Sequence, residues 1–445
     1  MADWSKLPDV LAVALLTVAF ASVARNARKS ISGLWLIGWL MIVLHFLAYM
    51  FLTAAGRWSD LANFIGTSAL ACGGALFMWA SVPYRKRTSS QWMLALLLGA
   101  NTTYIGVCIF SPSAAWALTL AAALFGVFPF AIVFLTLSHF SHPLRWTTAI
   151  LYAALAIFLL IVQNRSGGDM SLPLNAVLFT VYFGCFINFC YTYWRRTAGA
   201  FITVAGFFFW ASVFIVGPCI FAFFPNLHLE NEVWNLPKYL VAIGMILLLL
   251  EDQIEHNKYL ALHDELTGLP NRRLFQDRLA NALERARRAG SQAALLLIDL
   301  DYFKQVNDTK GHHIGDQLLK KVSDIFTERV RRSDTVARTG GDEFSIILEE
   351  PTSPEDALHV GQSLAKLLDR PFQLGEHSVR VGASVGIAVF PQDASDAESL
   401  CIAADLRMYA GKQQSRRSGE VVLNNTLIRN PFSDEITPTG FQLAE

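Results

Sequence analysis

The sequence predicts an all-α polytopic membrane region followed by an α/β domain of the α+β, ferredoxin-like kind. Three observations lead there. Of 445 residues, 53% are hydrophobic and only 16% charged, outside the balance of an ordinary soluble domain. Charges are sparse up to about residue 250 and dense after it. Beyond Pro270 the apolar runs shorten from membrane-spanning length to strand length and alternate with amphipathic stretches.

A helix needs about 20 apolar residues to cross the hydrocarbon core. Nine candidate runs, within residues 1–250, centre near residues 16, 43, 73, 101, 127, 155, 183, 211 and 245. The first lacks a cleavage site and is followed by further spans, so it reads as a helix rather than a signal peptide. Alternate loops collect cations: Arg25, Arg28 and Lys29; Arg85, Lys86 and Arg87; Arg145; Arg195 and Arg196. By the positive-inside rule this places the N-terminus outside and everything after about residue 251 in the cytoplasm, with the chain expected in the cell (inner) membrane. The intervening loops are cation-poor, the last reading "PNLHLENEVWNLPK" with a lone Lys238. The lipid bilayer is thus the first expected partner.

Within the spans His45, in "MIVLHFLAYM", is the ionisable residue placed at depth. It reads either as a neutral histidine bonded to a neighbouring helix or as a cofactor ligand, and the second needs another ligand that the sequence does not offer. The six cysteines are scattered without metal-ligand spacing and read as small core residues. The formal net charge is zero and no long block of like charge occurs, which leaves no sequence argument for a nucleic-acid partner. The ninth run continues into "LLLLEDQIEHNKYLAL" at helical spacing, so a helical stalk is expected over residues 246–263.

The C-terminal domain is expected over residues 264–418, with a loose tail over 419–445. Its predicted elements are a helix from Arg272 to Gly290, a strand in "AALLLIDLDYF", and a helix from Gly315 to Arg332. A hairpin follows in "TVARTGGDEFSIIL", then a helix from Pro354 to Leu368, one strand in "HSVRVGASVGIAVFP" and a helix from Ser399 to Gln414. The helices are expected to cover one face of the sheet.

Asp299 then ends the first strand, with Asp342 and Glu343 at the hairpin tip. If the strands pair, three acids meet at one edge. Like charges about 4 Å apart repel by roughly 4 kcal/mol at an effective dielectric of 20, so the cluster calls for cations. Mg2+ (or Mn2+) suits hard carboxylate oxygens and completes its shell with water and phosphate. Gly340 and Gly341 let bulk approach the backbone. A Gly-Gly-Asp turn is equally at home as a plain hairpin turn.

Four segments in order carry a more specific signal: "DELTGLPNRR", "DLDYFKQVNDTKGHHIGDQLL", "RRSDTVARTGGDEF" and "ADLRMYAGKQQSRR". Together they resemble the GGDEF family of diguanylate cyclases. The resemblance implies a palm-like nucleotidyl cyclase fold that condenses two GTP into cyclic di-GMP and two pyrophosphates, as a homodimer in which each domain brings one GTP. It implies Asp299, Leu300 (through its carbonyl), Asp342 and Glu343 as metal ligands, with Asp342 and Glu343 catalytic. Asn307 and Asp316 would read guanine, since a carboxylate accepts from hydrogens that adenine lacks. Tyr302, Phe303 and Lys304, with Lys412 and Arg416, would hold the β- and γ-phosphates. Arg331 and Asp334 match the family's R-x-x-D product-inhibition site for cyclic di-GMP. Read alone, Asp316 is also a helix-cap candidate and Lys412 with Arg416 a solvated face. Ser415 and Arg417 stand where the family usually has glycine and asparagine, which touches only phosphate contacts.

Two other classes fit parts of the chain: a GGDEF-like receptor that binds cyclic di-GMP or GTP without catalysis, and a transporter with a regulatory domain. Retention of Asp299, Asp342, Asn307, Asp316 and Lys412 argues against the first. The scarcity of charges in the spans argues against the second.

Overall fold

The computed structural model describes residues 3–26, 31–52, 58–81, 89–120, 122, 150, 153–154, 157–162, 164–165, 170–193, 197–224, 226, 231–351 and 353–418. The chain divides into two compact units, Met1–Glu255 and His256–Glu445.

The first unit is helical. Its helices are α1 (Leu7–Asn26), α2 (Ile31–Leu52), α3 (Ser59–Ala80), α4 (Ser89–Phe110), α5 (Ser171–Tyr193), α6 (Ala198–Phe223) and α7 (Asn231–Leu262). Among the described residues six helices, all of these except α4, are long and apolar enough to cross a membrane, and α4 contributes a shorter apolar stretch, Leu94–Phe110. The run expected near residue 127 lies outside the described residues, as does much of the one near 155. The buried faces carry large aromatics: Tyr182 of α5 stacks on Trp210 of α6 with ring centroids 4.0 Å apart, and Trp39 of α2 meets Phe77 of α3 at 5.1 Å. Where lipid tails are as apolar as leucine, such packing and interhelical hydrogen bonds replace the hydrophobic effect. His45 bonds a neighbouring helix, with Nδ1 2.9 Å from the carbonyl of Gly66 on α3. The loop expected around Lys238 is instead helical: α7 begins at Asn231, and Lys238 is buried within it. α7 continues through the segment expected as a stalk.

The second unit opens with α8 (Arg272–Ala289), a helix with defined stops at both ends. The Asn271 side chain accepts from the N–H groups of Arg273 and Leu274, and Gly290 closes the helix in the left-handed region at φ 64. Next come β1 (Ala293–Asp301), α9 (Phe303–Lys310), α10 (His312–Arg329), β2 (Thr335–Arg338), β3 (Glu343–Glu349), α11 (Pro354–Leu368), β4 (Phe372–Leu374), β5 (His377–Val379), β6 (Gly382–Phe390) and α12 (Ala397–Ser418). The four-stranded sheet has the order β2-β3-β1-β6, each neighbouring pair antiparallel.

Three expectations are corrected. Helices cover both faces of the sheet, because β1 is apolar in both alternating rows. Ala294, Leu296, Ile298 and Leu300 pack toward α10 and α11, while Ala293 and Leu295 pack toward α8 and α12. Between β1 and α10 lies α9, whose eight residues are too few to show a helical period. The single strand expected in "HSVRVGASVGIAVFP" is two, with β5 pairing β4 in a separate ribbon and only β6 joining the main sheet. The tail over 419–445 lies outside the described residues.

The fold positions α12 through one close approach. A Cβ on Gly386 of β6 would come within 2.0 Å of the Ala404 carbonyl and 2.4 Å of the Met408 nitrogen on α12. Arg407 fixes the register by donating to both carboxylate oxygens of Asp393, each at 2.7 Å, and to the Ile387 carbonyl at 2.6 Å. Because backbone rather than a pliable side chain stands in the way, Gly386→Val is expected to destabilise the unit by about 3 kcal/mol. Pulse proteolysis of the purified chain in urea measures this, and retention of wild-type resistance would show that α12 tolerates displacement.

Candidate functional site

The sheet brings the predicted acids together at the C-terminal end of β1. In the antiparallel register Asp299 lies opposite Glu343 of β3 on one side and Ser384 of β6 on the other. The Leu300 N–H donates to the Asp342 carbonyl at 3.2 Å, which fixes the turn beside the strand end. Asp299 is buried, occupying the last part of the row whose earlier members, Ala293 and Leu295, are core. Burial, and after it the nearby Asp299 carboxylate, raises the Asp342 carboxyl above its ordinary value. The Glu343 side chain is exposed and turns back over Gly340, where an added Cβ would come within 2.6 Å of Glu343 Oε2. Gly341 has open space around it.

One cation answers this charge from each side. Lys412 of α12 donates to Asp299 Oδ1 at 2.7 Å. Arg338, at the end of β2, donates from Nε and Nη2 to the Gly341 carbonyl at 3.1 and 2.7 Å, while its Nη1 bonds both carboxylate oxygens of Asp264 at 2.9 and 3.1 Å. Asp264 also accepts from the Thr267 N–H and hydroxyl; burial opposes its ionisation, and these bonds and Arg338 together hold it below the usual carboxylate range. Arg338 therefore ties the Gly-Gly turn to the segment that precedes α8. Neither Arg338 nor Asp264 was singled out as a site residue in the sequence, although each stands in a quoted motif; their partnership across 74 positions has no local periodic signal.

The residues expected to meet a nucleotide line the path from β1 to α10. Tyr302 adopts φ 62 and caps α9, so Phe303 and Lys304 begin a helix whose first N–H groups have no intrahelical partner, a geometry suited to phosphate oxygens. Asn307 lies on α9 against Gly315 of α10, where a Cβ would come within 1.9 Å of Asn307 Oδ1. Asp316 follows directly and is exposed, one turn inside α10 rather than at its cap, which is Gly311. Gly315 is thus a supporting residue that sequence reasoning passed over. Arg416 belongs to α12 by its backbone, and its side chain lies outside the described residues.

Arg331 and Asp334 form a tight loop before β2. One Asp334 oxygen accepts from the Arg331 N–H at 2.8 Å and the other from the Glu349 N–H at 3.1 Å. Asp334 therefore holds the loop to the end of β3, while the Arg331 side chain is exposed.

A divalent ion fits this donor set. Two hard carboxylates at one edge outnumber the single ammonium paired with them. Among the described residues no group of three or more His, Cys, Asp or Glu is arranged to hold a metal by side chains alone. An ion here therefore relies also on backbone oxygen, water and ligand phosphate, as magnesium commonly does.

Residues 261–418 match the profile of the diguanylate cyclase GGDEF domain. This part of the chain belongs to the GGDEF family. The bifunctional diguanylate cyclase/cyclic di-GMP phosphodiesterase MucR of Pseudomonas aeruginosa is 48% identical over 157 residues, covering 35% of this chain and 23% of that one. The diguanylate cyclase TpbB of the same organism is 39% identical over 170 residues, covering 38% of this chain and 39% of that one. The solved GGDEF domain of TpbB is 39% identical and is covered to 89%, against 34% of this chain, with a TM-score of 0.34. The match thus lies in the GGDEF domain and spans well under half of either full-length relative.

The Asp342 shift has a consequence for stability. Its folded pKa lies above the unfolded value, so the charged folded form is disfavoured at neutral pH and the penalty lifts as pH falls through the folded pKa. Metal-free Asp342→Asn is expected to melt higher than wild type at pH 7.5, with the difference shrinking toward pH 4. Equal melting temperatures at both pH values would show that the carboxylate carries no strain.

Proposed function

We propose that the chain is a membrane-bound diguanylate cyclase, condensing two GTP into cyclic di-GMP with release of two pyrophosphates. The observation that carries this reading is the meeting of Asp299, Asp342 and Lys412 at the end of β1, beside the α9 N-terminus and the close approach of Asn307 to Gly315. The GGDEF domain and the names of its relatives support the reaction class.

The Asp299 and Asp342 carboxylates, the Leu300 carbonyl and Glu343 would hold Mg2+ or Mn2+. When bound, such ions supply charge neutralisation for the triphosphate and the departing pyrophosphate. The protein's own groups do the positioning. The N–H groups at Tyr302 to Lys304 hold β- and γ-phosphate oxygens, and Lys412 and Arg416 add cationic contacts. Asn307 and Asp316 present an amide and a carboxylate to the guanine edge. The 3′-hydroxyl of one GTP attacks the α-phosphorus of the other, pyrophosphate leaves, and Asp342 accepts the hydroxyl proton. Each domain offers one nucleotide, so two copies facing each other complete the reaction.

The six long apolar helices are consistent with a membrane protein. We read the N-terminal part, residues 1–250, as a sensory region of nine spans with its N-terminus outside the inner membrane and the GGDEF domain, 264–418, in the cytoplasm. Residues 246–263 serve as the stalk and 419–445 as a tail. Arg331, whose side chain is exposed, would take a phosphate of cyclic di-GMP, with Asp334 holding the loop that presents it.

Full-length protein in nanodiscs, given GTP and magnesium, is expected to yield cyclic di-GMP by mass spectrometry, and Asp342→Ala none; no product from dimeric wild type that binds GTP would reject the assignment. Gly315→Ala is expected to raise KM for GTP about tenfold by displacing Asn307, with a smaller change in kcat. Arg331→Ala is expected to relieve inhibition by added cyclic di-GMP; unchanged inhibition would remove this site from the account.

A further inference from the structure

We propose that Asp9, Asn235, Lys238 and Tyr239 form a polar latch that sets the position of α7 in the membrane unit, and that an input to this unit acts by opening or closing it. The chain of bonds joins two helices that are far apart in sequence. Asn235 Nδ2 donates to Asp9 Oδ2 at 2.7 Å, and the Tyr239 hydroxyl donates to Asp9 Oδ1 at 2.5 Å, so both oxygens of the α1 carboxylate are taken by α7. Lys238 Nζ donates to Asn235 Oδ1 at 2.6 Å and stands 4.7 Å from the centre of the Phe46 ring on α2. Asp9, Asn235 and Lys238 are all buried, as is His45, which precedes Phe46 and bonds α3.

Among the described residues of this unit, Asp9 and Lys238 are the buried pair of opposite formal charge. Burying both ions away from water is costly unless each finds partners, so the network has few acceptable arrangements and a definite register. On another pair of helices, Tyr182, Cys185 and Thr192 of α5 instead donate to backbone carbonyls, those of Leu70, Gly74 and Ser81 at the α3 side.

The rest of α7 explains why a latch is needed. Along its middle it meets α6 backbone to backbone: a Cβ on Gly244 would come within 2.6 Å of the Thr203 nitrogen, and one on Gly206 within 3.0 Å of the Val241 nitrogen. A seam of small residues packs closely but has few directional bonds to fix an axial register. Register comes from the ends. Toward the C-terminal end, Gln253 Nε2 donates to the Val23 carbonyl of α1 at 3.1 Å, and Glu251 Oε1 accepts from the Gly199 N–H at the start of α6 at 3.1 Å. α7 is thus pinned by polar groups on either side of an unpinned seam, and it is the helix by which the chain leaves this unit for the GGDEF domain beginning at residue 261. Coupling between sites requires an element with discrete arrangements that both sites bias, and a latched helix meets that description.

The test uses full-length protein in nanodiscs, with two readouts. Hydrogen exchange over residues 231–262 judges the latch directly, and cyclic di-GMP formation judges its effect on activity; only the second rests on the cyclase reading. Asp9→Ala is expected to speed exchange in this segment about tenfold and to shift turnover at least about threefold. Tyr239→Phe, which keeps the packing and removes one hydroxyl, should move both in the same direction by less. The double variant should go no further than Asp9→Ala, since both changes delete the same bond. Thr192→Val, which cuts a polar contact that does not involve α7, should alter neither. Unchanged exchange in both Asp9→Ala and Tyr239→Phe, or an equal response in Thr192→Val, would overturn the proposal. Should wild type make no product, exchange still decides the latch and the cyclase reading alone fails.

Discussion

Two buried or half-buried carboxylates standing side by side are the constraint around which the GGDEF domain is organised. Asp299 lies near the end of β1 and Asp342 ends the turn beside it, with the Leu300 N–H bonded to the Asp342 carbonyl to hold them in register. Burial, and after it the neighbouring Asp299 carboxylate, raises the Asp342 carboxyl above its ordinary value. The surroundings answer it in graded fashion. Lys412 contributes an ammonium directly to Asp299, and Arg338 stiffens the turn through the Gly341 carbonyl instead of bonding the carboxylate. The resting domain therefore carries incompletely compensated negative charge at a fixed place, which is what a divalent cation can relieve.

The distant parts of the domain serve that edge. Gly386 lets α12 lie directly on β6, and the Arg407–Asp393 pair sets its register, so that Lys412 arrives over β1. Gly315 lets α9 and α10 touch, so that Asn307 packs against the α10 backbone directly before Asp316. In each case a missing side chain decides where a functional one goes.

The elements that were legible in the sequence are those whose signal is local. The hairpin around Gly340 and Gly341 shows as two apolar segments separated by a turn, and α11 shows its N-terminus as Ser353 and Pro354 ahead of an amphipathic run. Asp299 and Asp342 were legible as neighbours because one lies near the end of an apolar strand and the other at the tip of a hairpin turn. What escaped depends on contacts across the fold. Arg338 looked like any strand-end cation until Asp264 came to meet it. Asp334 gave no sign that both its oxygens serve backbone N–H groups. Lys238 looked like the lone cation of a cation-poor loop, whereas it lies in a helix whose Asn235 bonds Asp9, 226 positions away.

The central claim is that Asp299 and Asp342 jointly create a divalent-ion site that a nucleotide completes. Electron paramagnetic resonance titration of Mn2+ into the full-length protein, with and without a non-hydrolysable GTP analogue, tests it most directly. The account predicts weak binding alone, strong tightening with the analogue, and loss of the tightened site in Asp299→Asn. Mn2+ binding that ignores the analogue, or that survives Asp299→Asn unchanged, would contradict it.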